Sequence, residues 1–576
     1  MRLILHYLKN YKKLVFLNII SVFGFALAEL GIPTIVAQMI DHGVNAGDPG
    51  YIWRQGGVIA VISVAGVLGT VLLGYCCAKI SSAVTADIRD DVFDKAQHFS
   101  HREFNRFGVS SMITRTNNDA FQIQLFLNIL LRTALMTPVM LVISFAMTVR
   151  SSVELSLVIA STIPIIILGV VFVAKKSKPI SENQQKSLDL INRISRENLN
   201  GIRVVRAFHN DRYEEERFEK GNHSYTTYSK RLFKLMTMTQ PTFFFLMNLA
   251  ALGIFWVASV MIGAGQLQVG KLVAFMDYLF HAMFSMMLFC TVFMMYPKAE
   301  VSANRIREIL NTQPDITAEP GAKPLGNNIE SVVFDHVTFV YPGGEEAVLR
   351  DISFQVKKGE TIAFIGSTGS GKSTLVSLLP RFYDVSAGSI RINGKDIRNF
   401  DLYSLRDAIG FIPQKAMLFS GTIADNIRFG REAASMEEIT AAAKIAQAYD
   451  FITEKPAGFD EPVAENAANL SGGQKQRLSI ARALVRKPEI YVFDDSFSAL
   501  DFKTDAKLRD ALKPVTKDAI VMVVAQRVSS IMDADQIVVL NEGEVAGIGT
   551  HRDLLKNCPI YQEIAASQLS EKELSI

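Results

Sequence analysis

"TIAFIGSTGSGKST", Thr361 to Thr374, decides how the second half of this chain folds. An apolar run that reads as a strand passes directly into G-x-x-x-x-G-K-[ST] over Gly366 to Thr374, and a helix opens where the motif ends. The glycines let backbone N–H groups curl around phosphates, and the helix N-terminus adds partial positive charge. Lys372 reaches the outer phosphates and Ser373 can ligate Mg²⁺. Gly366, Ser367, Thr368, Gly369, Ser370, Gly371, Lys372, Ser373 and Thr374 are therefore the candidate cradle for a nucleotide.

Around this motif, "VVFDHVTFVY", "IYVFDD" and "IVMVVAQ" alternate with helical stretches, the pattern of a largely parallel α/β sheet. A second phosphate grip stands at "NLSGGQKQRLSIARAL", Asn469 to Leu484: Ser471 reads as an N-cap, Gly472 and Gly473 leave backbone N–H groups open, and Gln474 begins a strong helix. Upstream, "NTQPDITAEPGAKPLGNN" is rich in Pro, Gly and Asn and marks a linker. The expected organisation is a membrane domain over 1–310, a linker over 311–328, a nucleotide-binding domain over 329–566 and a polar tail over 567–576.

Of the 576 residues, 60 Lys and Arg face 57 Asp and Glu, which leaves no charge excess to recruit nucleic acid. Hydrophobic residues make up 49% of the chain and mean hydropathy is +0.21, high for a soluble protein. The apolar residues gather into six runs near or above the roughly 20 residues that cross a bilayer. These are Leu14–Ala37, Gly57–Ala78, Leu125–Val149, Val153–Ala174, Thr242–Gly263 and Leu272–Tyr296. Six transmembrane helices are expected, with "MRLILHYLKNYKK" as an interfacial helix before them. Lys and Arg concentrate in the segments 79–124 and 175–240, which places both on the cytoplasmic side, together with both termini. Those segments continue the helices into the cytoplasm and turn near Glu103–Arg115 and Gly201–Asn210, within reach of a cytoplasmic domain. Cys76, Cys77, Cys290 and Cys558 show no metal-ligand spacing and read as packing residues.

Ionisable groups inside membrane runs mark a cavity, a partner or mutual neutralisation. Glu29, Arg132, Asp277 and His281 are the candidates, Asp277 and His281 sharing one helix face four residues apart. Met276, Met283, Met286, Met287, Met294 and Met295 make the last run adaptable in packing, as core or as the wall of a cavity for diverse amphiphiles.

Taken together, the paired motifs and the membrane half resemble a half-transporter of the ATP-binding cassette exporter family over essentially the whole chain. The resemblance implies a six-helix membrane bundle with long cytoplasmic extensions fused to an α/β P-loop ATPase. It implies ATP and Mg²⁺ as ligands, and a second half-transporter as partner, each ATP lying between one chain's P-loop and the other's LSGGQ. Ser471, Gly472, Gly473 and Gln474 would then act on the partner's ATP. Tyr341 in "FVYPG" matches the aromatic that stacks on adenine. Gln414 in "FIPQKAMLFSG" matches the loop glutamine near Mg²⁺, and Asp494 the aspartate that holds Mg²⁺ through water. "SALD", Ser498 to Asp501, matches the loop that crosses the dimer interface, and "ENLNGIRVVRAF", Glu197 to Phe208, resembles the second coupling segment.

Two positions depart from the family pattern. After the Mg²⁺-holding aspartate the family ordinarily has Glu, the base that orients water; here stands Asp495. The switch loop ordinarily carries His; "VVAQRVSS" places Gln526. Asp shortens the reach of the carboxylate, and Gln cannot carry positive charge toward the phosphoryl group. The chain is thus expected to resemble the slow-site subunit of bacterial heterodimeric multidrug exporters, in the plasma membrane, with amphiphilic cargo. An active homodimer moving lipid or peptide, and a nucleotide-gated regulatory membrane protein, remain open alternatives.

Overall fold

The computed structural model describes residues 1–318 and 321–569, with only the backbone described at 159, 163, 166, 167, 170, 174, 290 and 294. Cys290, Met294 and most of the expected tail at 567–576 thus lie outside the described side chains or residues. The chain forms two compact units, Met1–Gln97 with Val109–Thr312, and His98–Gly108 with Gln313–Ile576.

The first unit is helical. Arg2–Val44, Pro49–Gln97, Val109–Ser151, Asp211–Gly263 and Val269–Asn311 are five helical stretches long and apolar enough to cross a membrane. The remaining expected span, 153–174, lies inside the helix Val153–Asn200, some of whose side chains are outside the description, and is not among those five. Pro49–Gln97 and Asp211–Gly263, with 49 and 53 residues, run for roughly 70–80 Å at about 1.5 Å per residue, more than twice a hydrocarbon core of about 30 Å. Val61, Val64, Leu68 and Val71 along one of these helices are each more than three-fifths exposed. Such a face suits lipid and not water.

The ends of the membrane helices are pinned by polar contacts. Asp41 Oδ1 accepts the Gly270 N–H at 2.8 Å, and a Cβ at Gly270 would come within 2.2 Å of the Ala37 carbonyl. Only glycine lets the last helix approach the first this closely. At the other end Tyr7 and Tyr11 donate to Asp91 and Asp87 at 2.5 and 2.9 Å, fastening the short helix Arg2–Leu8 alongside Pro49–Gln97.

The two expected turns fare differently. The second falls where expected: Val153–Asn200 ends at Gly201, the short helix Ile202–Ala207 follows, and Asp211 opens the next long helix. The first lies earlier than Glu103–Arg115, because Pro49–Gln97 stops before a capping box in which Ser100 and Glu103 satisfy each other's backbone N–H groups. His101–Phe107 is the turn helix there, and the segment 98–108 packs with the second unit.

In that second unit a six-stranded sheet runs in the order Glu544–Gly549, Gln536–Asn541, Thr361–Gly366, Ile520–Val524, Ile490–Asp494, Ile409–Ile412. Its five inner and distal strands pair in parallel, and only Glu544–Gly549 is antiparallel. Ile490–Asp494 and Ile520–Val524 are buried at every residue, as parallel strands covered on both faces must be, and their β-branched and aromatic side chains suit that position. A four-stranded sheet, Leu349–Lys357, Ser331–Phe339, Ala387–Ile392 and Lys395–Asp396, packs its Phe334 and Phe354 into the same core as Phe364. Val524 stands in register with Asp494 on one side and Phe364 on the other, and Gly366 follows two residues later, all at the carboxyl ends of neighbouring strands, where open α/β sheets bind their ligands.

Candidate functional site

Thr361–Gly366 ends in the loop that Lys372–Leu378 continues as a helix. Gly371 caps this helix at φ +95°, and a Cβ there would lie 2.6 Å from Leu349 Cδ2, so only glycine closes the loop. The Lys372 ammonium curls back into the loop, donating to the Gly366 and Ser367 carbonyls at 2.9 and 2.7 Å. Burial pushes its pKa down, with Asp495 and Asp494 opposing. A buried ammonium held by carbonyls is a poor resting place for a charge, and a phosphate would be a better partner.

Ser373 Oγ donates to Asp494 Oδ1 at 2.6 Å. A hydroxyl beside a carboxylate is the hard-oxygen pair that Mg²⁺ prefers, so these residues fit the ion. Burial raises the Asp494 pKa, opposed by the Ser373 hydrogen bond, and a cation would restore the charged form. Tyr341 is 37% exposed, with its hydroxyl 2.9 Å from Thr374 Oγ1 and its ring edge-on to Phe339 and Tyr383. An open aromatic face thus stands on the helix that leaves the phosphate loop.

Asp495 and Gln526, read separately in the sequence, are brought into contact. Gln526 Nε2 and Gln414 Nε2 both donate to Asp495 Oδ2, at 2.7 and 3.0 Å. Asp495 itself sits at φ +49°, in the left-handed region that a non-glycine residue enters at a cost of about 1 kcal/mol or more. Its N–H donates to the Val524 carbonyl at 3.0 Å, which fixes that turn to the neighbouring strand.

Sequence reasoning missed Gln568, which brackets the switch loop: Nε2 donates to the Gln526 carbonyl at 2.9 Å and Oε1 accepts the Val528 N–H at 2.8 Å. No motif signals it, because its partners are backbone groups and it falls in the stretch read as tail. Gln568→Ala is expected to accelerate hydrogen exchange of the Val528 amide about thirtyfold, the loss of two bonds each contributing about 1 kcal/mol. Unchanged exchange there would show that the bracket does not order the loop.

The signature forms a capped helix start. Ser471 Oγ accepts the Gln474 N–H at 3.3 Å and Gln474 Oε1 accepts the Ser471 N–H at 3.0 Å, opening the helix Gly472–Arg486. Ser471 and Gly472 are exposed. Gln476 ties this helix to the Pro413 carbonyl beside the edge strand Ile409–Ile412. That strand lies three places from Thr361–Gly366 in the sheet, roughly 14 Å at about 4.8 Å per strand. Ser498 and Ala499 of "SALD" are likewise exposed, while Asp501 caps the helix Phe502–Thr516.

In the membrane unit the structure joins Glu29 to the pair seen in the sequence. His281 Nε2 lies 3.6 Å from Asp277 Oδ2 and 3.9 Å from Glu29 Oε1, with both carboxylates more than two-fifths exposed. The methionine stripe divides. Met283 is buried and Met276, Met286 and Met287 pack against the core around Phe275 and Leu279. These four take part in core packing, one of the two roles open to them in the sequence.

The chain matches the family ABC transporter transmembrane region over residues 15–287 and the family ABC transporter over 349–498. It is 37% identical to an uncharacterised ABC transporter ATP-binding protein of Mycobacterium tuberculosis over 98% of each chain. A Staphylococcus aureus relative, 30% identical over 98% of this chain and 99% of its own, is named as a candidate multidrug export ATP-binding/permease protein. A bacterial Atm1-family ABC exporter solved with ATP bound superimposes with a TM-score of 0.81 and 28% identity, covering 97% of this chain and 99% of that one. The phosphate loop, the capped signature and the apolar helices thus stand in one chain of the length and order these relatives share, and the chain belongs to the ABC transporters, as an exporter in which ATP hydrolysis is coupled to transport.

Proposed function

We propose that this chain is one half of a heterodimeric exporter, with six membrane-spanning helices and both termini in the cytoplasm. Its own site binds ATP with Mg²⁺ and turns it over slowly, while its LSGGQ completes the faster site of a second half-transporter. The observation that carries this reading is the shared carboxylate oxygen of Asp495, which accepts from Gln414 and Gln526 at once. A base must take a proton from water, and Oδ2 already has two amide donors. Gln526, for its part, directs one amide N–H at Asp495 and brings no positive charge to the phosphate.

Binding rests on other groups. Tyr341 would take the adenine, backbone N–H groups of Gly366–Thr374 and Lys372 the phosphates, and Ser373, Asp494 and Gln414 would hold Mg²⁺, which neutralises phosphate charge when bound. Of these groups Gln414 alone hydrogen-bonds Asp495, through Nε2, which leaves its Oε1 for the ion. The exposed signature of Ser471–Gln474, several strands from this chain's own phosphate loop, supports its service to a partner.

For cargo, the relative named for multidrug export and the Glu29, Asp277 and His281 group inside the membrane unit support amphiphilic small molecules, moved out through a bacterial plasma membrane. The test is reconstitution of the purified chain alone in lipid. Slow ATP turnover, at least about tenfold below that of the chain paired with its partner, is the expected result. Ordinary transporter rates from this chain alone, abolished by Asp495→Ala, would mean an active homodimer instead.

A further inference from the structure

One face of the last membrane helix, Val269–Asn311, carries charge, and the face beside it lines a cavity. Asp277 and His281 stand on the first face, and Tyr278 and Ala282, one residue on from each, on the second. The cavity holds about 580 Å³, within the roughly 300–1,000 Å³ usual for small-molecule sites. Its walls are mostly apolar, with Val142 and Phe145 from Leu135–Ser151 and Pro164 from Val153–Asn200. Two polar features interrupt them. Ser144 lines the cavity and is fully buried, yet among the described residues its Oγ has no hydrogen-bond partner. Pro164 has no N–H to offer the Ala160 carbonyl one turn before it, and Ala160 lines the same cavity. Nearly every buried hydroxyl finds a partner, and a bound molecule with a polar group in its body supplies one here.

The charged face is out of balance. Asp277 Oδ2 and Glu29 Oε1 lie 3.6 and 3.9 Å from the same His281 Nε2, so two carboxylates meet one imidazole. Among the described residues no Lys or Arg pairs with either acid. Even a protonated imidazole leaves one negative charge over, which is costly inside a membrane unit. The imidazole nitrogen also marks a point close to both acids, where one small cation touches both. Phe280 stands edge-on to His281 at 5.9 Å and stacks on Phe284 at 5.7 Å, both rings exposed, so aromatic groups that favour a cation flank that point. Tyr278 joins the two halves. It lines the cavity, and its hydroxyl lies 2.6 Å from Thr34 Oγ1 on the helix Lys12–Gln38, which also carries Glu29.

We propose that Glu29 and Asp277 bind the positive head of a cationic amphiphile while its apolar body occupies the cavity beside Tyr278 and Ala282. This rests on the reading of amphiphilic small molecules as cargo and narrows it to those with a positive head. The head takes the place of the His281 imidazole between the two carboxylates.

Three probes with one fluorescent body test the site: dansyl joined through the same alkyl chain to an ammonium, to an acetamide or to a carboxylate. Dansyl fluorescence measures their binding to the full-length chain in phosphatidylcholine nanodiscs, with empty discs subtracted. The ammonium probe is expected to bind at least about tenfold more tightly than the acetamide, through charge-assisted hydrogen bonds, and the carboxylate probe most weakly. Glu29→Gln and Asp277→Asn should each lower ammonium binding several fold, and together should make ammonium and acetamide bind alike. Native binding of the acetamide probe in the same variants checks their folding. His281→Gln should not weaken the ammonium probe. Val142→Trp, which narrows the cavity from an exposed position on its wall, should weaken all three probes about equally. Equal binding of ammonium and acetamide to the native chain, discrimination that survives the double variant, or binding untouched by Val142→Trp would overturn the proposal and leave amphiphilic cargo standing. Failure of all three probes to bind above empty discs would remove the amphiphile reading itself.

Discussion

Asp495→Glu and Gln526→His made together are expected to raise ATP cleavage at this chain's own site by about 10²-fold, and neither alone to approach that gain. Asp495 falls one methylene short of a glutamate, and a misplacement of about 1 Å at a reacting centre costs roughly 10²-fold. Lengthening the side chain alone leaves Gln526 and Gln414 free to follow the carboxylate, as they now share Oδ2 at 2.7 and 3.0 Å. Introducing histidine alone exchanges the amide for an imidazole that can carry charge but leaves the base short. The two positions touch, so their effects couple and do not add. Single-turnover phosphate release from the purified chain in nanodiscs, where a second copy supplies the facing signature, measures the cycle. A full gain from Gln526→His alone, or none from the pair, would refute the shared-oxygen account.

Much of this site was legible because its motifs describe backbone. Gly366, Gly371 and the helix at Lys372 stand where the spacing of the phosphate loop requires, and Ser471 caps its helix through Gln474 as the sequence pattern of a capping box implies. What could not be read were contacts between segments distant in the chain. Asp277 and His281 share a helix face and were paired by spacing, whereas Glu29 reaches His281 from another helix. Tyr383 and Gln568 carry no motif, since one acts through ring edges and the other through backbone partners. The early turn at 98–108 does carry a signal, since Ser100 followed three residues later by Glu103 is a helix start, although the charged run around it continues to Arg115. The methionines of the last helix were ambiguous for a physical reason, because Met suits core and cavity equally and only burial separates the two.

Gly473→Asp is expected to lower steady-state ATP hydrolysis of the assembled transporter by about 10²-fold or more, while this chain continues to take up ATP at its own phosphate loop. A Cβ at Gly473 would lie 3.2 Å from the Ala499 carbonyl, already tighter than ordinary contact, and a carboxylate would stand where the helix N-terminus of Gly472–Arg486 offers N–H groups to phosphate. Repulsion would therefore fall on the nucleotide facing this signature. The phosphate loop of the same chain lies three strands away in the sheet and keeps Lys372, Ser373 and Asp494 intact, so photolabelling of this chain by an azido-ATP should persist at native strength. The combination of lost turnover and retained labelling distinguishes a signature that serves another chain's ATP from one that serves its own. Labelling lost in step with turnover would place both grips on a single nucleotide and remove the basis for the division of labour proposed for this subunit.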